Sequence, residues 1–475
     1  MIPDFGLLAI DPGELVAARS QMAFTLGFHI ILACLGVGLP SLVLVANAIG
    51  LRRRDPAALL LARRWSLVMA VTFAVGAVTG TVLSFEMGLL WPVLMGRFGG
   101  AFGIPFAIEG LFFFLEAIFI AIYIYGWERL SPRAHLVSGI PVALSGLGGT
   151  FSVIAANSWM NQPAGFTIGP DGRVTAVDAL AVIFNRATWY EVPHMLLAAY
   201  LVTGFLFASV YAVGLLRGSR DRYVRLGFAI PFVAAAIAAP IQVVVGDVAA
   251  RAIFEDQPAK FAAMELITRS GPNQPVTLGG VLVGDEVVGG LAIPNLGSLL
   301  AGFSPDTRIT GFDAIPVDQR PPATIVHLAW DAMVGIGTAL VGLGLWGLVI
   351  RLRGRDHATA RWFLRATALA GIGAVVALEA GWIVTEVGRQ PWVVYLVLRT
   401  ADAVSQSGGI RFTFAAVIGL YGVLGIATLV ILRTMSRRWA AADLAAGGRA
   451  AGDHDDRTGG RRDEGRVPYG PRGER

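Results

Sequence analysis

The chain has 475 residues, of which 55% are hydrophobic and only 15% charged, with a mean hydropathy of +0.64. Soluble domains carry about 25% charged residues, so this composition favours a protein embedded in a lipid bilayer. The formal net charge of +5 does not indicate a nucleic-acid partner, because the arginines lie in short clusters between apolar segments. The single cysteine, Cys34, excludes an intrachain disulfide and a multi-cysteine metal site.

Nine segments are long and apolar enough to cross a bilayer as helices, which takes about 20 residues each. In chain order they cover residues 22–50, 66–90, 105–126, 137–156, 190–215, 226–248, 323–350, 363–385 and 412–433. The sequence therefore predicts an all-α integral membrane protein with nine transmembrane helices.

Arginine clusters follow the first, third, fifth and seventh spans and are sparser elsewhere. They comprise Arg52, Arg53, Arg54, Arg63 and Arg64, then Arg129 and Arg133, then Arg217, Arg220, Arg222 and Arg225, and finally Arg351, Arg353, Arg355 and Arg361. Cytoplasmic loops of membrane proteins are enriched in basic residues. This pattern places the N-terminus outside and the C-terminus in the cytoplasm, in agreement with an odd number of spans.

The spans divide the chain into four parts. Residues 1–248 contain the first six transmembrane helices, and residues 323–435 contain the last three. Residues 249–322 form a long extracytoplasmic loop between helices six and seven, and loops of this length are usually functional or disordered. Residues 436–475 are too polar to bury a core, so we expect a disordered cytoplasmic tail.

Ionisable side chains within the spans mark candidate functional residues, because they are costly to bury in a bilayer. The histidines in spans are His29, His194 and His327, and the acids within or closing spans are Glu86, Glu109, Glu116, Asp331, Glu379 and Glu386.

Four potential metal ligands lie near the outer ends of their spans: His29, His194, Met333 and Glu386. Imidazole, thioether and carboxylate groups are all plausible axial donors to haem iron. A single buried histidine also serves as a hydrogen-bond partner, and a single methionine as core packing. The residues alone therefore leave two alternatives open, a redox-cofactor protein and a transporter. The absence of a CxxCH motif excludes covalently attached c-type haem.

Glu109 and Glu116 lie seven residues apart in an aromatic segment of the third span. This spacing puts both carboxyl groups on one helix face, about 10.5 Å apart along the axis. Two acids on one apolar face suit proton transfer through water, and the alternative is a hydrogen-bonded structural pair.

Several of these residues lie in segments that resemble cytochrome bd oxidase subunit I. Glu386 with Gly-Arg-Gln-Pro-Trp at 388–392 is similar to the signature that ends the family's eighth helix. The other similar segments are 19–29, which ends in the axial histidine of the first helix, 103–116 with its two glutamates, and 157–163 after the fourth helix. The resemblance covers residues 16 to 435 and identifies the chain as a divergent member.

The resemblance implies a set of haem ligands. His194 and Met333 are expected to be the two axial ligands of a low-spin haem b near the outer surface. His29 and Glu386 are each expected to hold one of two further haems, one of which reduces oxygen. The implied cofactors are two haem b and one haem d, or three haem b.

The same resemblance assigns four further residues. Trp382 and Arg389 match residues packed between and beside the haems. Lys260 and Glu265, in the long loop, match the family's quinol-binding pair. Lys260 is also the only lysine in the chain, and a compact ammonium is well suited to donate to a quinone oxygen.

The implied activity is that of a quinol:oxygen oxidoreductase, the catalytic subunit of a respiratory terminal oxidase in the bacterial cell membrane. Quinol is oxidised at the outer face, and O2 is reduced to water with cytoplasmic protons that pass Glu116 and Glu109, which generates a membrane potential. The implied partners are subunit II, with a small single-span subunit as a further candidate. The alternatives are a proton-coupled secondary transporter and a bd-like oxygen reductase with another electron donor.

Two positions depart from the family's pattern. Asp331 stands where the family usually has arginine, two residues before the axial methionine, and His327 lies one helical turn away. An aspartate there would disfavour haem reduction unless it is protonated or paired with His327. In the second span, Ser84-Phe85-Glu86 replaces the family's Glu-Phe-Gln.

Overall fold

A computed structural model describes residues 12–452 except 171 and 406, and it is mostly helical. The helices of this part are α1 (Pro12–Arg53), α2 (Pro56–Leu90), α3 (Pro92–Gly126), α4 (Pro132–Asn161), α5 (Ala179–Ile183), α6 (Thr188–Leu216), α7 (Arg222–Asp256), α8 (Pro258–Glu265), α9 (Leu296–Gly302), α10 (Ala323–Leu352), α11 (Arg361–Gly388), α12 (Thr400–Ala403) and α13 (Ile410–Gly452). The strands are β1 (Phe166–Ile168), β2 (Val174–Val177), β3 (Val276–Leu278), β4 (Val281–Val283), β5 (Glu286–Val288), β6 (Leu291–Ile293), β7 (Trp392–Val394) and β8 (Leu398–Arg399).

Nine helices of the described chain are long and apolar enough to cross a membrane, namely α1, α2, α3, α4, α6, α7, α10, α11 and α13. The predicted all-α membrane fold with nine spans is therefore confirmed. The helices run past the predicted spans, because hydropathy marks only their apolar centres. For example, α13 continues to Gly452, beyond residue 436, where the tail is expected to begin. Residues 453–475 lie outside the described part.

Helix starts follow directly from local sequence. The side chains of Asp55, Ser131 and Asp221 cap α2, α4 and α7 by accepting hydrogen bonds from backbone amides of the first turn. Proline occupies the first position of α2 and α4, where its missing N–H costs no hydrogen bond.

The largest part of the core lies between α1, α6, α7, α10 and α11. Phe205, Phe232 and Phe363 are buried there, and the rings of Phe232 and Phe363 meet edge to face at 5.2 Å. Gly204 lets α6 and α7 approach closely, because a Cβ at this position would lie 2.7 Å from the carbonyl oxygen of Pro231. By contrast, α13 packs mainly on α1 and α2 and leaves most of its apolar surface exposed.

The two ends of the bundle differ. At the arginine end, which contains the basic clusters, Asp55 pairs with Arg222 and Asp356 pairs with Arg225, at 2.8 and 2.9 Å. At the opposite end, the loop end, the segments 157–187, 257–322 and 389–409 cover the helices.

The long segment between α7 and α10 has a structure of its own. It contains α8 and α9, and β3 pairs with β6 around an inner hairpin of β4 and β5. Met264, Ile267 and Phe312 are buried beneath it, packed against residues of α10 and α11. The segment is thus held on the helices by a core of its own.

We expect Gly204→Ala to lower the thermal unfolding temperature of the purified protein. The added methyl group would force α6 away from the Pro231 carbonyl of α7, and overpacking of this kind costs about 1–3 kcal/mol. The matched control is Gly342→Ala on α10, where no described atom lies within 4 Å of an added Cβ. Equal unfolding temperatures for the two variants would contradict the close approach.

Candidate functional site

Two adjoining cavities lie within the helix bundle. The first, of about 420 Å³, lies between α6, α7, α8, α10 and α11, and the second, of about 900 Å³, lies mainly between α1, α2, α3, α4 and α11. Asn157, Met195 and Trp382 line both cavities. The Trp382 side chain therefore lies at the boundary between them, the position expected of a residue packed between two cofactors.

His194 and Met333 face the first cavity from α6 and α10. The Nε2 atom of His194 lies 3.2 Å from the Gln242 amide, while Nδ1 is buried without a hydrogen-bond partner among the described residues. Both side chains pack closely against glycines. A Cβ at Gly246 would lie 3.3 Å from His194, and one at Gly381 would lie 3.0 Å from the Met333 sulfur.

His29 faces the second cavity from α1. Its Nδ1 lies 2.9 Å from the hydroxyl of Thr79, which is itself directed at the backbone carbonyls of Val75 and Gly76. When that hydroxyl donates to one of these carbonyls, it can accept the proton of His29 Nδ1. The Nε2 atom then keeps a free lone pair, as a metal-ligating histidine requires.

Glu386 and Arg389 close α11 beside the same cavity. Glu386 accepts a hydrogen bond of 2.6 Å from Asn157 and forms an ion pair of 2.5 Å with Arg389. Arg389 is buried, and its Nε and Nη1 atoms have no partner within the described chain. A buried guanidinium with free donors suits a further anionic group, such as a carboxylate of a bound cofactor.

The residues of the two cavities fit haem. Each cavity has two possible axial donors among its lining residues. The free donors of Arg389 match the charge of haem propionates. The structure thus brings together the four predicted ligands in two neighbouring sites, one with a histidine and a methionine and one with a histidine and a glutamate.

Glu109 and Glu116 line the second cavity from α3, as the spacing predicts for one helix face. Glu379 of α11 joins them, although the sequence assigns it no role beyond that of an intramembrane acid. One carboxylate oxygen of Glu116 and one of Glu379 are buried and lack partners among the residues described. The cavity thus contains several carboxyl groups able to exchange protons with water.

Lys260 and Glu265 lie on α8, are both buried, and line the first cavity together with His194 and Met333. The Lys260 ammonium donates to the Asn161 side chain at 2.9 Å, and Glu265 accepts from the Trp330 indole at 2.9 Å. Burial lowers the pKa of Lys260 and raises the pKa of Glu265 to about 7. Both groups can therefore change protonation close to neutral pH.

Glu191 is a site residue that the sequence analysis missed. It is buried on α6, accepts a 2.8 Å hydrogen bond from Ser158, and interacts electrostatically with Lys260 and Arg389. It lies one helical turn before His194, so the sequence did contain a signal. Asn161, the acceptor for Lys260, carried no such signal, because its contact depends on how α4 packs against α8.

Three other intramembrane polar residues do not line either described cavity. Glu86 accepts hydrogen bonds from Gln21 and Thr25 of α1 and links α2 to that helix. His327 and Asp331 lie 3.4 Å apart on α10, so the expected pairing of these two residues is observed.

The fold and the two cavities define a membrane-embedded haem protein, and comparison with known proteins agrees. The family model described as cytochrome bd terminal oxidase subunit I matches residues 17–439. A Bacillus subtilis cytochrome bd ubiquinol oxidase subunit 1 is 32% identical over 435 residues, covering 88% of this chain and 92% of that protein. Another Bacillus subtilis protein, provisionally named a cytochrome bd menaquinol oxidase subunit I, is 34% identical over 425 residues, covering 88% of this chain and 96% of that protein.

A solved structure of the bd oxidase from Geobacillus thermodenitrificans matches with a TM-score of 0.84 and 35% identity, covering 90% of this chain and 98% of that one. The chain belongs to the cytochrome bd terminal oxidase subunit I family. It is therefore a multi-pass subunit of a respiratory terminal oxidase, a quinol:oxygen oxidoreductase that uses haem and works with a subunit II. The transporter alternative is not favoured.

Proposed function

We propose that this chain oxidises quinol at the loop end of the bundle and reduces O2 to water at the second cavity. The observation that carries the proposal is the pair of adjoining cavities, each lined by two haem-type donors, with Lys260 and Glu265 at the first. The relatives are named as quinol oxidases, some for ubiquinol and one for menaquinol.

The proposed cofactors are two haem b and one haem d, or three haem b. His194 and Met333 would hold a low-spin haem b in the first cavity, and His29 and Glu386 would each hold one haem in the second. When bound, these haems supply one-electron transfer and, at one site, oxygen reduction. Trp382 would lie between the haem of the first cavity and those of the second. Arg389 would neutralise acidic groups of the haems beside it.

The two residues on α8 have complementary roles in quinol oxidation. The Lys260 ammonium would donate a hydrogen bond to a quinol oxygen and so orient the ring. The Glu265 carboxylate would accept a proton released on oxidation, because burial raises its pKa to about 7. In this proposal residues 249–322 form the quinol-binding unit, between membrane parts at 1–248 and 323–435, with residues 436–475 as a tail.

The carboxyl groups of the second cavity would supply protons for oxygen reduction. Glu116 and Glu109 lie on one face of α3 and line the cavity that also contains His29 and Glu386. A water chain past these acids would connect the cavity to the arginine end.

The proposed orientation follows from charge. Basic residues favour the cytoplasmic side, so the arginine end would face the cytoplasm and the loop end the outside, with the N-terminus outside and the C-terminus inside. Protons would then leave at one face and be taken up from the other. Each charge separated in this way stores about 2.3 kcal/mol per 100 mV of membrane potential.

Oxygen consumption by the complex with subunit II, driven separately by a ubiquinol and a menaquinol analogue, tests the proposal. Quinol-dependent consumption together with haem bands in the reduced-minus-oxidised spectrum would support it. A haem-containing complex that consumes oxygen with another electron donor, but with neither quinol, would contradict the proposal that quinol is the donor.

We expect His194→Ala and Met333→Leu each to remove the low-spin haem signal from the reduced-minus-oxidised spectrum. Each substitution deletes one of the two candidate donors of the first cavity, while His29 and Glu386 retain their positions in the second. The other haem bands should therefore persist. Met264→Leu is the matched control, because this buried methionine packs beneath the loop and does not line either described cavity. A low-spin signal that survives in both His194→Ala and Met333→Leu would refute the assignment.

Glu116→Gln should lower the rate of quinol-driven oxygen consumption by at least about tenfold, because the amide cannot carry a proton. The haem spectrum should stay close to that of the unmodified protein. Glu86→Gln provides the control, since Glu86 is another buried glutamate that bonds to Gln21 and Thr25 and is not among the residues that line the described cavities. Equal rates in the two variants would exclude Glu116 from the proton path.

The pH dependence of quinol oxidation should report Glu265. Because burial raises the pKa of this carboxyl to about 7, the proton-accepting carboxylate is lost as the pH falls below that value. We expect kcat/KM for quinol to decline on the acid side of pH 7, and to decline again on the alkaline side as Lys260, whose pKa burial lowers, loses its ammonium proton. Glu265→Gln should lower the maximum and abolish the decline on the acid side, while Glu286→Gln, at an exposed position of the same loop, should keep it. An unchanged decline on the acid side in Glu265→Gln would assign it to another group.

A further inference from the structure

His327 and Asp331 lie one turn apart on α10, where this helix meets the loop that follows α8. His327 is fully buried, and its two ring nitrogens face two main-chain carbonyl oxygens. Nδ1 lies 2.7 Å from the oxygen of Met264, and Nε2 lies 2.9 Å from the oxygen of Gly279. Each is an ordinary hydrogen-bond distance.

These two contacts favour the imidazolium form of His327. A carbonyl oxygen can only accept, so both contacts are hydrogen bonds only when each ring nitrogen carries a proton. A neutral imidazole has one N–H, and only the imidazolium has two. The Asp331 carboxylate lies 3.4 Å from Nε2, and its side chain is 21% exposed.

Gly279 is bound from both sides by this pair. Its carbonyl accepts from His327, and its N–H donates to Asp331 at 2.5 Å. Gly279 has a φ of +64°, in the left-handed region where glycine is favoured, and it lies between β3 and β4. The pair thus fixes the backbone at the base of the inner hairpin.

The same part of α10 makes two more bonds to the loop. Thr324 accepts from the Leu282 amide at 2.9 Å, and Trp330 donates to Glu265 at 2.9 Å. Glu265 also interacts electrostatically with both His327 and Asp331. Thr324, His327, Trp330 and Asp331 together form what we call the α10 clasp.

We propose that the His327 imidazolium and Asp331 are positioning residues for quinol oxidation. They hold the loop segment that carries Glu265 at a fixed position on the helix that carries Met333. The proposal rests on the proposed role of Glu265 in the quinol site. It assigns His327 and Asp331 no contact with quinol or haem, because neither is among the described residues that line the cavities.

The test compares His327→Leu, which removes both donors and the charge, with His327→Gln, which keeps an amide donor without the charge. His357→Gln is the matched control, because His357 also bonds a main-chain carbonyl, that of Gly347, but on the cytoplasmic side of the proposed orientation. Each variant is prepared as the complex with subunit II. Three quantities are measured: amide hydrogen exchange of residues 276–293, the steady-state constants for a quinol analogue, and the low-spin haem spectrum.

We expect faster exchange of the Gly279 and Leu282 amides in His327→Leu, and a rise in KM of about tenfold with little change in kcat, since a lost bond to a charged group is about that large. His327→Gln should show a smaller effect, and His357→Gln none. The low-spin spectrum should be retained, which shows that the variants fold. In a double-mutant cycle, His327→Gln with Asp331→Asn should raise KM less than the product of the two single effects, because the ion pair is lost only once.

Unchanged exchange in His327→Leu would overturn the proposal. Faster exchange without a change in KM would overturn the positioning role, provided that Lys260→Met raises KM. If KM is unchanged in both His327→Leu and Lys260→Met, the quinol-site assignment itself fails, and the positioning role fails with it. The exchange rates of the Gly279 and Leu282 amides would still show whether the α10 clasp holds the loop.

Discussion

The cost of placing charge inside an apolar helix bundle governs the arrangement of this molecule. Glu86 and His327 do not line the cavities, and they are bonded by Gln21 and Thr25 and by Asp331, although one oxygen of Glu86 lacks a partner in the described chain. At the cavities, His194, Glu116, Glu379 and Arg389 each retain a buried polar atom without a partner among the described residues. Bound cofactors, substrate and water are natural partners for such atoms beside a cavity.

The last turns of α11 connect the parts of this region. Trp382 borders both cavities, Glu386 lies one turn further along, and Arg389 follows directly after the helix. Gly388 lies against the aliphatic stem of Lys260, and a Cβ at that position would come within 2.8 Å of it. The chain segment that resembles the family signature thus contacts the loop residue at one cavity while it supplies a candidate ligand to the other. A shift of this segment would affect both cavities together.

The nine spans were predictable because a helix that crosses a bilayer must be long and apolar, and the hydropathy of the sequence shows such segments directly. The four donors and the two glutamates of α3 were predictable as candidates because ionisable residues are rare in such helices. What the sequence left open was their grouping. Nothing along the chain indicates that Asn157 bonds to Glu386, or that Asn161 bonds to Lys260, since these contacts join helices far apart in sequence. The hairpins of the long loop were missed because three-residue strands between glycine turns show no usable periodicity. The roles of the individual site residues and the orientation in the membrane remain predictions.

The burial of Lys260 has a practical consequence, because no other lysine occurs in the chain. Its side chain is only 2% exposed, and its nitrogen is bonded to Asn161. An acylating reagent that reacts with amines would meet a single side-chain target in this subunit, distinct from the terminal α-amine, and would reach it only when the first cavity opens to the outside. Covalent labelling at this one side chain would then report how often the cavity opens.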